Sequence, residues 1–546
     1  MTSGCETDDK IPASAELLAR VRSWIAADPD PDTRAELKSL LACNDGVALA
    51  DRFDHPLSFG TAGLRGAIGA GPSRMNRVVV AHASAGFASY LLERADVRPV
   101  VVIGRDARTK SDLFAEDAAR TFAGAGCDAI LLDGPVPTPV LAFAVRYLNA
   151  DAGVMVTASH NPAADNGYKV YLGGADEGAQ IVSPTDAEIQ DKIRAASAIR
   201  FAQIPTSVYR TAGPEIRDAY VAETAAVAPA TPGEFARVVY TPMHGVGLDT
   251  FTRVLTAAGY PMPTVVTVQA EPDSSFPTLP FPNPEEEGAL DKALAIAKVE
   301  NADLIVAHDP DADRLSVSVS SPQGFRTLTG NELGALLGWW IAERASARGE
   351  AGTFATTFVS APALERIAAH YGFESVRTPS GFKWIGRVPN LLFGYEEALG
   401  YLVNPNTVHD KDGISAAVAI LSLATDLYRE GRNLSDVVDE IATRFGGVAS
   451  YSLSIRFERA SDVASAMVRT RSNPPASMNG AKVESVEDYL PATNLLAWNL
   501  SDGTRVLLRP SGTEPKLKIY VFADTAAQAR TLGDALTQSA PWSATS

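Results

Sequence analysis

The chain contains 546 residues, of which 46% are hydrophobic and 21% are charged, and its net charge is −17. Because a domain usually contains about 100 to 200 residues, this length predicts about three to five domains. The acidic balance argues against a nucleic-acid partner and against an anionic membrane surface, since both require a basic protein surface.

Three cysteines, Cys5, Cys43 and Cys127, are scattered along the chain without a Cys-x-x-Cys pair. Their spacing indicates neither a disulfide framework nor a zinc site, and it fits a reducing cytoplasm. The first ten residues are polar and acidic, and the sequence has no run of about 18 apolar residues. We therefore expect a cytoplasmic protein with neither a signal peptide nor a membrane span.

Predicted strands and helices alternate along the first two thirds of the chain. Two short β-branched strands and two amphipathic helices are predicted between Val100 and Leu148. The same alternation recurs from Arg237 and again from Asn331, which predicts three α/β units with largely parallel sheets. Because ligands bind beyond the carboxyl ends of strands in such sheets, we expect the polar motifs at these ends to face one shared cleft.

After about Gly446 the alternation gives way to a different pattern. The predicted strands lie at 451–457, 495–500 and 504–508, and the predicted helices lie at 460–471 and 526–538. A loop rich in serine, asparagine and proline separates the first helix from the later strands. This pattern predicts a separate, small α+β domain at the end of the chain.

The run from Thr157 to Pro162, Thr-Ala-Ser-His-Asn-Pro, follows the apolar stretch Ala152 to Val156. Ser159 is therefore expected where a strand ends and the chain turns, and Lys169 supplies an amine ten positions later. A serine hydroxyl is a weak nucleophile unless it is activated, and this pairing suggests a serine that carries a phosphoryl group. Taken alone, a helix-capping serine before an Asn-Pro turn explains the run as well.

Three carboxylates, Asp309, Asp311 and Asp313, occupy alternate positions before Arg314. Crowded hard oxygen ligands favour Mg²⁺. A calcium loop of the EF-hand type is the alternative, but that motif needs a glycine and a late glutamate, and it follows a helix rather than the strand predicted here. The sequence therefore predicts a magnesium site.

Three further runs carry polar groups that suit a phosphorylated sugar. Phe59–Gly66 is rich in glycine and offers Arg65 to a phosphate. Phe393–Tyr401 places adjacent glutamates among aromatic residues, and Arg509–Lys516 combines two hydroxyls with a glycine that lets backbone amides approach an anion. Taken singly, these runs are also typical of a loop, a solvated surface and a hairpin turn.

Together, these motifs resemble the α-D-phosphohexomutase superfamily, and the resemblance extends from Phe59 to Tyr520. The family's four loops occur in the family's order. The resemblance implies three consecutive α/β mixed-sheet domains and a C-terminal α+β domain of the helix-grip, TBP-like type around a central cleft. The corresponding predicted domains are residues 1–212, 213–322, 323–445 and 446–546.

The resemblance also implies roles for individual residues. Ser159 resembles the phosphoserine, and Lys169 resembles the general acid/base lysine. Ser159 would hold one Mg²⁺ per active site together with Asp309, Asp311 and Asp313. The remaining roles are His160 and Arg65 beside the reacting phosphate, Lys383 as another active-site lysine, Arg314 near the metal, Glu396 as acceptor from a sugar hydroxyl, and Arg509, Ser511, Gly512, Thr513 and Lys516 as the clamp on the distal phosphate.

The activity that the resemblance implies is that of a phosphohexomutase, an isomerase and intramolecular phosphotransferase. Such an enzyme interconverts the 1- and 6-phosphates of glucose or mannose through a phosphoserine and a 1,6-bisphosphate, which is also the expected activator. Ala398 and the following Leu399-Gly400-Tyr401 depart from the Gly-Glu-x-Ser pattern of many hexomutases. This version is similar to the phosphoglucomutase-2 and phosphopentomutase branch, so a phosphopentomutase is the alternative.

Three other activities are weaker alternatives: a sugar-1,6-bisphosphate synthase, a phosphoserine-dependent phosphatase and a non-catalytic sugar-phosphate sensor. The clamp at Arg509 argues against the phosphatase, because hydrolysis needs no second phosphate site. A sensor needs no Ser159 beside three metal carboxylates. The expected partner is a small-molecule phosphosugar, with neither nucleic acid nor membrane, and the expected assembly is a monomer or homodimer.

Overall fold

The computed structural model describes residues 12–60, 63–491, 493–511 and 515–538. Contacts between residues divide the chain into two compact units. Unit 1 comprises Met1–Gly233, Arg237–Leu315 and Asn404–Val418, and unit 2 comprises Glu234–Ala236, Ser316–Val403 and Ala419–Ser546. A short stretch late in the chain therefore belongs to unit 1. The boundaries of the four predicted domains stay predictions.

Three helices form the first described part of unit 1: α1 (Ala15–Ala27), α2 (Pro31–Ala42) and α3 (Gly46–Phe53). Each is preceded by a residue whose side chain accepts a hydrogen bond from the first turn, namely Ser14, Asp30 and Asp45. Their core consists of Leu17, Val21, Leu37, Leu49, Phe53 and Ala70. No helix is predicted for this stretch from the sequence.

The main sheet of unit 1 has seven strands. They are β1 (Leu64–Ala67), β2 (Val100–Arg105), β3 (Asp128–Leu131), β4 (Ala152–Val156), β5 (Asp165–Leu172), β6 (Ala179–Gln180) and β7 (Arg210–Thr211). The order is β1-β5-β4-β2-β3-β7, with β6 paired to β5. Strands β2, β3, β4 and β7 are parallel, whereas β1, β5 and β6 pair antiparallel. The sheet is therefore mixed, as expected.

Helices pack against this sheet and bury its apolar residues. They are α4 (Arg77–Leu92), α5 (Ser111–Ala125), α6 (Thr138–Tyr147) and α7 (Thr185–Ala196), while α8 (Glu215–Ala225) packs against α6. Every residue of β4 is buried, which explains its continuous apolar run, because a strand covered on both faces does not alternate. The predicted strands and helices between Val100 and Leu148 are confirmed.

A second α/β set follows in unit 1: β8 (Val238–Thr241), α9 (Gly247–Ala258), β9 (Thr264–Val265), α10 (Asp291–Val299) and β10 (Leu304–His308). Strands β9 and β10 both run parallel to β8. Strand β9 is short, because residues 267–269 form a 3₁₀ turn. Residues 270–288 form turns and loop.

The first part of unit 2 repeats the α/β pattern. A hairpin of β11 (Leu315–Ser321) and β12 (Gly324–Thr327) precedes α11 (Gly330–Ala347). The next elements are β13 (Thr353–Thr357), α12 (Ala363–Tyr371), β14 (Glu374–Thr378), α13 (Phe382–Ile385), β15 (Leu391–Glu396), β16 (Gly400–Leu402), α14 (Gly413–Arg429), whose residues up to Val418 belong to unit 1, and α15 (Leu434–Phe445). Their sheet has the order β14-β13-β15-β16, and only β16 is antiparallel to its neighbour.

The final sheet has six strands in the order β17-β22-β21-β20-β19-β18, paired antiparallel. The elements are β17 (Ala449–Arg456), α16 (Ala460–Ser472), β18 (Ser477–Met478), β19 (Ala481–Asp488), β20 (Leu496–Leu500), β21 (Arg505–Pro510), β22 (Lys516–Ala523) and α17 (Ala526–Gln538). Side chains of both helices share one core with the sheet, around the buried Trp498. This confirms the expected α+β domain.

Two observations bear on the expectations drawn from composition. Among the described residues, no helix has both the length and the apolar character needed to cross a bilayer. Cys43 is disulfide-bonded, a single bond that the cysteine spacing did not indicate. Cys127 is a buried free thiol. Cysteine spacing could not reveal this bond, since a disulfide depends on distance in the folded chain.

Candidate active site

The predicted nucleophile, Ser159, lies in a turn just after β4 and is 2% exposed. Its φ of 51° is in the left-handed region, which is uncommon for a residue other than glycine. The Ser159 hydroxyl donates to Oδ2 of Asp309 at 2.9 Å. Its oxygen also lies 3.2 Å from Nδ1 of His160. The turn therefore aims the hydroxyl directly at the carboxylate cluster.

The three aspartates follow β10, and each is fully buried. Their carboxylate oxygens lie within 4.8 Å of one another and could hold a metal ion. Oδ1 of Asp311 and Oδ1 of Asp313 are buried and have no hydrogen-bond partner among the described residues. Unpartnered buried anionic oxygens are costly. Three clustered carboxylates, two of them with an unpartnered oxygen, are a donor set that suits Mg²⁺.

The pKa values of the cluster reflect crowded negative charge. Burial raises the pKa of Asp309 well above its usual range, and the charges of Asp311 and Asp313 add to the shift. Burial also opposes ionisation of Asp311, but the Lys169 ammonium holds the pKa of Asp311 below its usual range. The pKa of Asp313 is likewise lowered, because Lys169 and Lys411 outweigh burial and the charge of Asp311. A divalent cation would relieve the repulsion at Asp309.

Lys169 lies on β5, and its Nζ donates to Oδ2 of Asp311 at 2.7 Å and to Oδ2 of Asp313 at 3.0 Å. The lysine is 4% exposed. Burial alone would lower the pKa of Lys169, but the two carboxylates raise it above its usual value. The amine is therefore held as an ammonium in this arrangement.

Lys411 is a second buried lysine at the cluster, and the sequence analysis did not single it out. Its Nζ lies 3.0 Å from Oδ2 of Asp313. The adjacent Asp410 accepts hydrogen bonds from Tyr171 and Gln180, which ties this segment to unit 1. The available signal was the charged run His409-Asp410-Lys411-Asp412 before a glycine and an apolar helix.

Gly413 explains how closely this segment approaches the loop that carries the three aspartates. A Cβ atom at Gly413 would lie 2.3 Å from the carbonyl oxygen of Arg314 and 3.0 Å from that of Ala312. Only glycine fits such an approach of backbone to backbone. The contact therefore requires the glycine that follows Asp412.

Three other predicted residues surround the serine and the carboxylates. The exposed Arg65, on β1, donates through Nη1 to Oδ1 of Asn161 at 3.1 Å. The backbone N–H of Arg314 donates to Oδ1 of Asp309 at 3.0 Å. Burial, together with the charges of Arg314 and Arg65, lowers the pKa of His160 to about 3. His160 is therefore neutral near pH 7.

The remaining predicted residues belong to unit 2. Glu396 ends β15 and pairs with Gly400, while Lys383 lies on α13. Arg509 donates through Nη1 to Oγ of Ser380 at 3.1 Å. This contact brings the predicted phosphate clamp next to the loop before Lys383.

The phosphate-clamp run itself is described only in part. The backbone N–H of Ser511 donates to the carbonyl of Lys516 at 2.9 Å, and Lys516 begins β22. Gly512 and Thr513 lie outside the described residues. The role of this run in phosphate binding stays a prediction.

Sequence models of one protein family match most of the chain. They describe the phosphoglucomutase/phosphomannomutase α/β/α domains I, II and III and the C-terminal domain, and they match residues 56–200, 218–322, 329–445 and 475–539. The chain belongs to the phosphoglucomutase/phosphomannomutase family. This confirms the resemblance to the α-D-phosphohexomutase superfamily, and it makes the protein an isomerase of the mutase type.

Relatives within this mutase family differ in the sugar that their names specify. A probable phosphomannomutase from Haemophilus influenzae is 49% identical over 454 residues, which cover 82% of this chain and 93% of the relative. A phosphopentomutase from Homo sapiens is 34% identical over 565 residues, covering 93% of this chain and 91% of the relative.

A solved structure shares the fold. The phosphoglucomutase/phosphomannomutase family protein from Burkholderia thailandensis has a TM-score of 0.69 and is 20% identical. The match covers 88% of this chain and 96% of that chain. It supports the mixed α/β architecture described above.

Proposed function

We propose that this mutase is a phosphohexomutase that interconverts the 1- and 6-phosphates of glucose or mannose. The hydrogen bond of 2.9 Å from the Ser159 hydroxyl to Asp309 carries the proposal. It joins a candidate nucleophile to a buried carboxylate cluster that also holds two lysines. The phosphomannomutase name of the Haemophilus influenzae relative favours a hexose.

One Mg²⁺ per active site is part of the proposal. Ser159, Asp309, Asp311 and Asp313 would hold it, and the two unpartnered carboxylate oxygens support this donor set. The chemistry that Mg²⁺ would supply there is neutralisation of negative charge on a phosphoryl group. Arg314 lies beside this proposed metal site. Its Nε is 3.9 Å from Oδ1 of Asp313 and 4.0 Å from Oδ2 of Asp309.

Phosphoryl transfer begins from Ser159 in its phosphorylated form. The bond between phosphorus and Oγ of Ser159 breaks as a new bond forms between phosphorus and the free hydroxyl oxygen of the sugar monophosphate. Lys169, held as an ammonium, donates a proton to the departing Oγ and regains one from the sugar hydroxyl. His160 lies beside this oxygen, with its Nδ1 3.2 Å from Oγ of Ser159.

The sugar 1,6-bisphosphate then reorients, and its other phosphoryl group returns to Ser159. Reorientation requires a phosphate clamp that is independent of the serine. Arg509, Ser511, Gly512, Thr513 and Lys516 are proposed for this clamp, Glu396 for a sugar hydroxyl, and Lys383 and Arg65 for phosphate contacts. Sugar 1,6-bisphosphate is also the proposed activator, because it can phosphorylate an enzyme that has lost its phosphoryl group.

A phosphopentomutase is the second candidate. The phosphopentomutase name of the human relative favours this activity. The run Phe393–Tyr401 also favours it, because Ala398 stands where many hexomutases have the serine of the Gly-Glu-x-Ser pattern. Leu399 of this loop is 2% exposed and has a φ of 63°.

The cytoplasmic location and the assembly as a monomer or homodimer stay predictions.

Initial rates separate these activities. The substrates are α-glucose 1-phosphate, α-mannose 1-phosphate and α-ribose 1-phosphate, with Mg²⁺ and a trace of glucose 1,6-bisphosphate. The proposal expects a higher kcat/KM for a hexose. A dominant ribose rate would make the protein a phosphopentomutase, and release of free phosphate without an isomer would make it a phosphatase.

A further inference from the structure

Arg108, in the loop between β2 and α5, donates to four backbone carbonyls of the turn that carries Ser159. Its Nη2 lies 2.6 Å from the carbonyl oxygens of both Ser159 and Asn161. Its Nη1 lies 2.8 Å from that of Pro162 and 3.1 Å from that of Asp165. The arginine is 4% exposed. One buried guanidinium therefore donates hydrogen bonds to carbonyls along the whole turn.

The same loop also holds the other side of the Ser159 peptide. Asp106 accepts a hydrogen bond of 2.6 Å from the Thr157 hydroxyl. The Thr157 oxygen in turn accepts from the backbone N–H of Ser159 at 2.9 Å. Asp106 also lies 3.5 Å from Nε of Arg108. The N–H and the C=O of Ser159 are therefore both fixed by the loop after β2.

These hydrogen bonds explain the backbone conformation of Ser159. Ser159 has a φ of 51°, and a non-glycine residue keeps such a φ only where its surroundings impose it. Converging carbonyl oxygens repel one another unless a donor lies between them. A guanidinium offers five N–H groups in a planar fork, whereas the ammonium of lysine offers three. Four carbonyl acceptors therefore call for arginine.

We propose that Arg108 is the positioning residue for the nucleophile: it holds the left-handed turn at Ser159 and so sets the line from Oγ to the metal carboxylates. Arg108 itself need not touch substrate. Ser159 gives a phosphoryl group to the sugar and then receives one from the bisphosphate. The hydrogen bonds of Arg108 keep Ser159 in the same position for both transfers. The inference rests on the proposed function only in taking Ser159 as the nucleophile.

Arg108→Lys tests the inference in the full-length protein. A displacement of about 1 Å costs about 100-fold in rate, so we expect kcat to fall by about that factor while KM changes less than about threefold. Single-turnover transfer from the purified phosphoenzyme should slow by the same factor. Arg77→Lys is the matched control, because Arg77 makes a bidentate ion pair with Asp117 on neighbouring helices. Its kcat should stay near the wild-type value.

Thr157→Val supplies a second variant that removes the acceptor of the Ser159 N–H while conserving shape. It should lower kcat without raising KM, and it keeps the inference testable if Arg108→Lys does not fold. Wild-type kcat in a folded Arg108→Lys protein, or equal losses in Arg108→Lys and Arg77→Lys, would overturn the inference. If Ser159→Ala keeps its activity, the proposed function fails instead, so the two failures are distinguishable.

Discussion

The amine of Lys411 lies 3.0 Å from Oδ2 of Asp313, the same carboxylate oxygen that accepts from Lys169 at 3.0 Å. One buried oxygen therefore faces two ammonium groups. Removing one partner of a buried ion pair leaves an uncompensated charge. The pair of lysines balances much of the negative charge that the aspartates concentrate.

Lys411→Met tests this balance. The substitution keeps most of the side-chain volume but removes the cation, so the metal-free protein should lose about 3 kcal/mol of stability. Saturating Mg²⁺ should restore a large part of the loss by supplying positive charge. Thermal midpoints with Mg²⁺ and with EDTA measure both effects. The control is Lys192→Met, at a surface pair with Glu93, and an equal loss with and without Mg²⁺ would contradict the account.

Asp311→Asn should weaken Mg²⁺ binding and lower turnover, because a neutral amide replaces one of three carboxylate ligands. Removing Mg²⁺ with EDTA should abolish turnover of the wild-type enzyme reversibly. A Mg²⁺ titration of thermal stability gives a readout independent of activity, since a ligand at 100 times its Kd stabilises by about 2.7 kcal/mol. Asp191→Asn, at an exposed ion pair, is the control. Unchanged Mg²⁺ affinity in Asp311→Asn would place the metal elsewhere.

Arg509→Ala should raise KM for the sugar monophosphate and for the bisphosphate alike, by at least about tenfold, with a smaller effect on kcat. The reason is that the Arg509 guanidinium, which donates to Oγ of Ser380, is proposed to bind a phosphate that stays bound during transfer. Steady-state kinetics with both ligands measure this. Arg459→Ala, at an exposed pair with Asp462, should behave as wild type. An unchanged KM in Arg509→Ala would move the phosphate site away from this loop.

His82 should make the fold sensitive to acid. Burial lowers the pKa of His82, and its hydrogen bond to the Ile199 carbonyl offsets this only in part. The unfolded chain takes up this proton near pH 6.5, before the folded chain does, so the stability present above that pH is lost as pH falls. Thermal midpoints at pH 7 and pH 5 should therefore fall less in His82→Gln than in wild type. Parallel falls in the two proteins would show that His82 contributes nothing.

Much of the fold could be predicted because its strands carry strong local signals. The buried run of β4 and that of β10 were each followed by a polar motif, and parallel strand ends meet at one edge of a sheet. The turn after β4 and the loop after β10 do meet, with Ser159 and Asp309 2.9 Å apart. Their catalytic roles stay predictions.

Other parts of the site depend on contacts that local patterns do not record. Lys411 reaches the carboxylates because residues 404–418 return to unit 1 from a distant part of the sequence. Arg108 is an ordinary charged loop residue until the turn carbonyls surround it. Strand β14 was not predicted. Its first three residues are exposed, and its charged and polar side chains interrupt the apolar pattern.

The most direct test of the central claim is the location and fate of the phosphoryl group. The enzyme is treated with glucose 1,6-bisphosphate, purified, and mapped by peptide mass spectrometry before and after one turnover with glucose 1-phosphate. The account predicts phosphorylation at Ser159 that is transferred to the sugar as bisphosphate, and none in Ser159→Ala. A phosphoryl group on another residue, or one released only as inorganic phosphate, would contradict it.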